Sequence, residues 1–257
     1  MNLTAEQLSS NWEKIINIIE TEFTGDRKEN LIKMYKAYEE RLLYMPASSR
    51  DYYHSCYPGG YLSHVLNVIE FVQHLDEFWD VKMDSSKITK SYTREEMIFV
   101  ALNHDFGKVG NETHEYYQTH NEKWKKERGE LYKINENITY MNLIDRTFFI
   151  LQEFNIQVTE TEYLAIKLHG GMYDSGNETY LAGYSKAKQL QNELPILMHS
   201  ADHMATRYEY ALWSKKLNST VIKKKVEKDT MVRRYTKHKM PSGLGDVAST
   251  FFGDPKK

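Results

Sequence analysis

Ala101-Leu102-Asn103-His104-Asp105-Phe106-Gly107-Lys108 sets an imidazole beside a carboxylate where an apolar helix runs out into glycine. Met97, Ile98, Val100 and Ala101 form the apolar approach, and Thr93 with Glu96 makes a capping box at its start. Nitrogen and oxygen donors together suit a borderline or hard divalent cation. Adjacent residues on a helix point about 100° apart, so both reach one ion only near a helix end or a distortion. Gly107 is expected to supply that end as a C-cap. Lys108 follows one turn after His104, a cation placed to meet an anionic substrate.

Two distant segments carry matching chemistry. His64 lies in Pro58-Gly59-Gly60-Tyr61-Leu62-Ser63-His64-Val65, beside an apolar stripe of Leu62, Val65, Leu66, Ile69 and Val72. Asp202 lies in Leu197-Met198-His199-Ser200-Ala201-Asp202-His203-Met204-Ala205, on a helix opened by Pro195. A lone carboxylate on so apolar a face is costly unless it is paired or bound to a metal.

Over residues 58–210 the order His64, His104-Asp105, Asp202 resembles the signature of the HD superfamily of metal-dependent phosphohydrolases. The resemblance implies an all-α fold, an HD-domain helical bundle. It also implies that His64, His104, Asp105 and Asp202 hold a divalent ion, whether Mn, Co, Mg, Ni, Zn or Fe. Asp105 would bind the ion and orient water, while Lys108 and His169 would stabilise charge on phosphoryl oxygens. His169 ends a helix begun by the capping box Thr159 and Glu162 and is followed by Gly170-Gly171. Some relatives carry an extra histidine in such a place. His199, one turn before Asp202, is a candidate neighbour of the ligands.

The substrates implied are nucleotides, with a small mononucleotide or dNTP expected. Other readings of the same residues are a phosphodiesterase or nuclease on oligonucleotide or cyclic nucleotide, a di-iron HD-type oxygenase, and a non-catalytic nucleotide-binding module. The oxygenase needs more protein ligands than the chain readily offers.

Around this core, residues 4–45 predict an N-terminal helical hairpin. Thr4 and Gln7 cap a first helix with Trp12, Ile15, Ile16, Ile19 and Phe23 at helical spacing; Thr24-Gly25-Asp26 interrupts it, and Leu31, Met34, Tyr35, Tyr38 and Leu42 resume it. Residues 1–213 then form a single HD-type domain with its catalytic core at 58–210. Residues 214–257 form a basic C-terminal extension running from Lys215 to Lys239 and beyond. Such a tail can contact nucleic acid or a subunit interface.

The segment 109–137 is polar and aromatic, and so long a connection between core helices is usually a functional loop. Lys123, Lys125, Lys126 and Arg128 offer cations, and Trp124 and Tyr132 offer stacking faces, a mixture suited to a nucleotide. Substrate binding is therefore expected from Lys108, Arg128, Trp124, Tyr132 and His169. The segment Gly170 to Ser185, with Tyr173, Tyr180 and Tyr184, is expected to form the opposite wall.

A length of 257 residues, 40% apolar and 27% charged, is that of an ordinary globular domain, and a net charge of −2 gives no global pull toward nucleic acid. No apolar run long enough to span a bilayer and no signal pattern is present. The single cysteine, Cys56, precludes an internal disulfide and suits a reducing cytoplasm. Homo-oligomerisation is open. No glycine-rich phosphate loop follows a strand, so P-loop and Rossmann chemistry are not expected.

Overall fold

The computed structural model describes residues 3–183 and 185–237, with side chains as far as residue 217. Among the described residues it holds ten α-helices and one two-stranded ribbon, the expected all-α fold. No helix among them is long and apolar enough to cross a membrane. The chain divides into two compact units, Met1–Ala211 and Leu212–Lys257. Tyr184, residues 238–257 and the basic side chains from Lys223 onward lie outside what is described.

α1 (Ala5–Glu22) opens on the expected Thr4–Gln7 capping box and buries Ile15 and Ile19. The expected hairpin over 4–45 is three helices rather than two, because Tyr38 (φ −113°, ψ 13°) breaks the second. The halves are α2 (Gly25–Ala37) and α3 (Glu39–Tyr44). A loop then leads to α4 (Gly60–Ser86), which carries His64. Gly60 is glycine by necessity, since a Cβ there would lie 1.9 Å from the Ser55 carbonyl oxygen.

α5 (Arg94–Asn103) begins with the Thr93–Glu96 capping box and buries every residue from Met97 to Asn103. A helix apolar on all sides belongs inside a protein, and α5 packs against α4 and α8 (Glu160–Leu168). Fully burying Ile98, Phe99, Val100 and Leu102 contributes about 1.5–3 kcal/mol each.

After α5 a tight 3-10 turn, Phe106–Val109, rests on α7 (Leu143–Glu153). Here the reading of Gly107 as a C-cap is corrected: it is not left-handed, and the positive φ (+97°) belongs to Gly110. Gly107 is required for a different reason. A Cβ on it would stand 2.1 Å from the Leu143 carbonyl oxygen, and its N–H donates to Thr147 Oγ1 at 2.8 Å.

The segment 109–137 is partly ordered as β1 (Tyr117–Thr119), α6 (Lys123–Glu127) and β2 (Tyr132–Ile134). The strands pair antiparallel with Gln118 opposite Lys133. The loop after α3 is sewn to this ribbon: the amides of Leu131 and Tyr132 donate to the Ser49 carbonyl at 3.1 and 3.0 Å, and Asp51 N–H to Gly129 O at 2.9 Å. α8 follows, opened by the Thr159–Glu162 capping box. A short α9 (Glu178–Leu181) leads to α10 (Leu194–Lys237), which bears Asp202.

Candidate metal centre

His104 is the last residue of α5 in helical conformation (φ −52°, ψ −37°), and Asp105 departs from it (φ −113°, ψ 13°). That departure turns two adjacent side chains toward one point, as the spacing argument required. His64 joins them from α4. One ligand atom each of His64, His104 and Asp105 lies within 4.8 Å of the other two, and all three residues are buried.

α10 brings Asp202 to the same place, its Oδ1 3.2 Å from His64 Nε2. His169, at the end of α8, sets Nε2 3.8 Å from Asp105 Oδ1 and packs its ring 5.0 Å from that of His104. The cluster thus draws on four helices that are far apart in the chain.

The tautomers follow from the outer hydrogen bonds. His104 Nδ1 faces the Ala101 carbonyl at 3.0 Å, and His169 Nδ1 faces the Ile166 carbonyl at 2.7 Å. A carbonyl only accepts, so both Nδ1 atoms donate and a neutral ring carries its lone pair on Nε2. His64 Nδ1 meets the Glu209 carboxylate at 3.1 Å, which fixes the third ring in the same sense.

The Nε2 atoms of His64 and His104 are buried and have no hydrogen-bond partner. His104 Nε2 stands 3.6 Å from Asp105 Oδ2, and His64 Nε2 stands 3.2 Å from Asp202 Oδ1. Lone pairs facing carboxylates repel unless a proton or a metal ion stands between them. Histidines that donate their outer N–H to a carbonyl or carboxylate and aim the other nitrogen inward are the usual second layer of a metal site. The donor set therefore fits a divalent cation.

The electrostatics agree. Burial holds His104 near 4, despite Asp105 and Asp202, and so keeps it neutral. Burial would likewise depress His64, yet Glu209 and Asp202 outweigh it and lift the imidazole to about 10. Burial would raise Asp105, but Lys108 and the histidines hold it far below the usual carboxylate range.

Lys108 Nζ lies 2.5 Å from Asp105 Oδ2 and donates to the Ala47 carbonyl at 2.9 Å. Its side chain is only 10% exposed. The ammonium expected to meet substrate is thus largely engaged in holding a ligand carboxylate.

A pH dependence follows. His64, raised above its ordinary 6.5, carries a proton in the metal-free protein, and this stabilisation is complete below 6.5 and lost as pH rises through about 10. A cation must displace that proton. Titration calorimetry with Mn²⁺ should show affinity rising about tenfold per pH unit above neutrality, with one proton released. In Glu209→Gln the plateau should move to lower pH. A flat profile in both proteins would exclude His64 as a ligand.

Four neighbours were not singled out from the sequence. Glu209 is buried and accepts from His64 Nδ1, Asn67 Nδ2 (2.8 Å) and Ser55 Oγ (2.7 Å). Its position two helical turns after Asp202 was the available signal. His54 packs its ring 4.6 Å from that of His64, tilted by 38°, with its Nε2 buried and unpartnered. Tyr61 brings a buried, unpartnered hydroxyl close enough to feel the Asp105 charge. On β1, burial raises Tyr117 to about 12 against the pull of Lys108. His199 is one layer out, its Nδ1 on the His169 carbonyl at 2.7 Å.

The remaining expected substrate residues stand apart. Tyr132 is one ring removed from the centre, 6.4 Å from Tyr117. Trp124 (55% exposed) has Lys125 and Arg128 over its ring, apart from the His64, His104 and Asp105 cluster. Comparison with protein-family models, curated proteins and solved structures finds no match to this chain.

Proposed function

We propose that the protein is an HD-type metal-dependent phosphohydrolase that cleaves a phosphate ester or anhydride of a nucleotide, a small mononucleotide or dNTP. One observation carries the reading: two buried, unpartnered imidazole nitrogens converge with the Asp105 carboxylate within the reach of one ion. His64, His104, Asp105 and Asp202 are the residues that would hold it. A divalent cation supplies water activation near neutral pH and polarises a phosphoryl oxygen.

The chain's own residues divide the rest of the work. Lys108 occupies Asp105 Oδ2 and leaves Oδ1 toward His169. His169, its ring oriented by the Nδ1 contact with the Ile166 carbonyl, turns Nε2 toward Asp105 Oδ1, where it would meet a phosphoryl oxygen or the attacking water. Glu209 holds the His64 ring in its tautomer. Burial of the whole group strengthens each of these interactions relative to water.

The test is a panel of nucleoside mono-, di- and triphosphates with Mn²⁺, Co²⁺ or Mg²⁺, reading phosphate, pyrophosphate and triphosphate release. Metal-dependent release from at least one mononucleotide, abolished by EDTA, is expected. Cleavage confined to oligonucleotides or cyclic nucleotides would shift the substrate, and bound iron with oxygen uptake would replace the reaction. No turnover of any kind would leave a non-catalytic nucleotide-binding module.

A further inference from the structure

Trp124 and Arg128 lie on and just after α6, outside the His64, His104 and Asp105 cluster. Trp124 (55% exposed), Tyr53 (48%) and Tyr52 (36%) are open aromatic rings. Each has a cation over it. Lys125 Nζ and the Arg128 guanidinium stand 5.6 and 5.8 Å from the Trp124 ring centre; the Arg50 guanidinium stands 5.8 Å from that of Tyr52 and 5.9 Å from that of Tyr53. Arg50 also donates to the Tyr52 hydroxyl at 2.6 Å, and the Tyr52 and Tyr53 rings meet edge to face at 5.1 Å.

The two groups form one surface. Asp51 N–H donates to the Gly129 carbonyl at 2.9 Å, and Arg50 bridges Glu130 as an isolated antiparallel pair. Gly129 (φ +81°) lies so close that a Cβ on it would be 2.2 Å from Asp51 Oδ1 and 3.2 Å from Tyr52 Cδ1, which places one carboxylate in the seam between the two groups. Aromatic planes on a backbone-braced platform, interleaved with guanidinium groups, match unpaired bases joined by phosphates. Each base stacks on a ring, and each phosphate finds a fork of donors. A duplex hides the faces this surface needs.

We propose that the Arg50–Tyr53 loop and the Trp124–Arg128 helix form a binding platform for single-stranded nucleic acid. The proposal does not rest on the phosphohydrolase reading, because no metal ligand takes part in it. The platform and the centre share a loop: Ala47, three residues before Arg50, accepts from Lys108, and His54 follows Tyr53.

The experiment uses the full chain in EDTA, so that no hydrolysis contributes. A fluorescein-labelled oligothymidylate of about 12 nucleotides, within the span of one single-strand site, is titrated and read by anisotropy. A duplex of the same length is the comparison. Saturable binding of the single strand is expected, at least about tenfold tighter than the duplex. With Arg50 and Arg128 each on one phosphate, log K should fall with log salt at a slope of about −1.4. Tyr53→Ala and Trp124→Ala should each weaken binding about tenfold, the scale of one lost stacked base.

No binding at low salt overturns the proposal, and so does equal affinity for the duplex. Binding undiminished in the Tyr53→Ala/Trp124→Ala double variant also overturns it, because the strand would then be held elsewhere, on the basic extension for example. A negative mononucleotide panel leaves this result standing, and failure here leaves the panel's answer intact.

Discussion

Asp105→Ala is expected to lower metal-dependent turnover by at least on the order of a thousandfold. The loss would also appear in stability. Asp105 is both a ligand candidate and the counter-ion of Lys108, whose ammonium is buried beside it. Removing one partner of a buried pair leaves an uncompensated charge, a cost of about 3–5 kcal/mol. Helical circular dichroism should persist at room temperature, since Asp105 lies just beyond α5 and its side chain caps no helix.

Asp105→Ala/Lys108→Met separates the two effects. Removing the stranded charge should restore at least half of the lost stability in urea unfolding while leaving turnover absent. Undiminished turnover in the single variant would falsify the role given to Asp105. Equal stability of the single and double variants would show that Lys108 does not depend on it.

Gly107→Ala is expected to destabilise the protein strongly. The new Cβ would stand 2.1 Å from the Leu143 carbonyl oxygen, 3.0 Å from its carbon and 3.1 Å from the Thr147 nitrogen. All three are backbone atoms of α7, so no side chain can swing away and the helix itself must move. Overpacking of this kind costs at least about 3 kcal/mol.

Gly170→Ala is the matched control. It has open space around it and an ordinary helical φ of −69°. There the substitution should be neutral or stabilise by about 0.4–1 kcal/mol through the unfolded chain. Urea midpoints of the two variants decide the matter, and equal midpoints would refute the packing argument.

What could be read from the sequence was local or strongly patterned. Thr4–Gln7, Thr93–Glu96 and Thr159–Glu162 are short-range capping devices, and all three form where the spacing placed them. The His64, His104, Asp105, Asp202 order is legible because each sits at a helix end or on an apolar face, where such a residue needs a reason.

What escaped was long-range. Glu209 bonds His64 across 145 residues, and on its own it reads as a solvated carboxylate between Tyr208 and Tyr210. A glycine after a helix usually ends that helix as a C-cap; Gly107 instead makes room for α7. Trp124 and Arg128 had the right composition for a nucleotide but no information on direction. The strands that place them, Tyr117–Thr119 and Tyr132–Ile134, are too short for any alternation to show.

The unequal burial of the ligand candidates has a consequence for ion choice. His64 and His104 side chains are fully enclosed and Asp105 is clamped by Lys108, whereas the Asp202 side chain keeps 20% of its surface open to water. Were the four side chains to hold one ion, the side of the centre open to water would be the Asp202 carboxylate on α10.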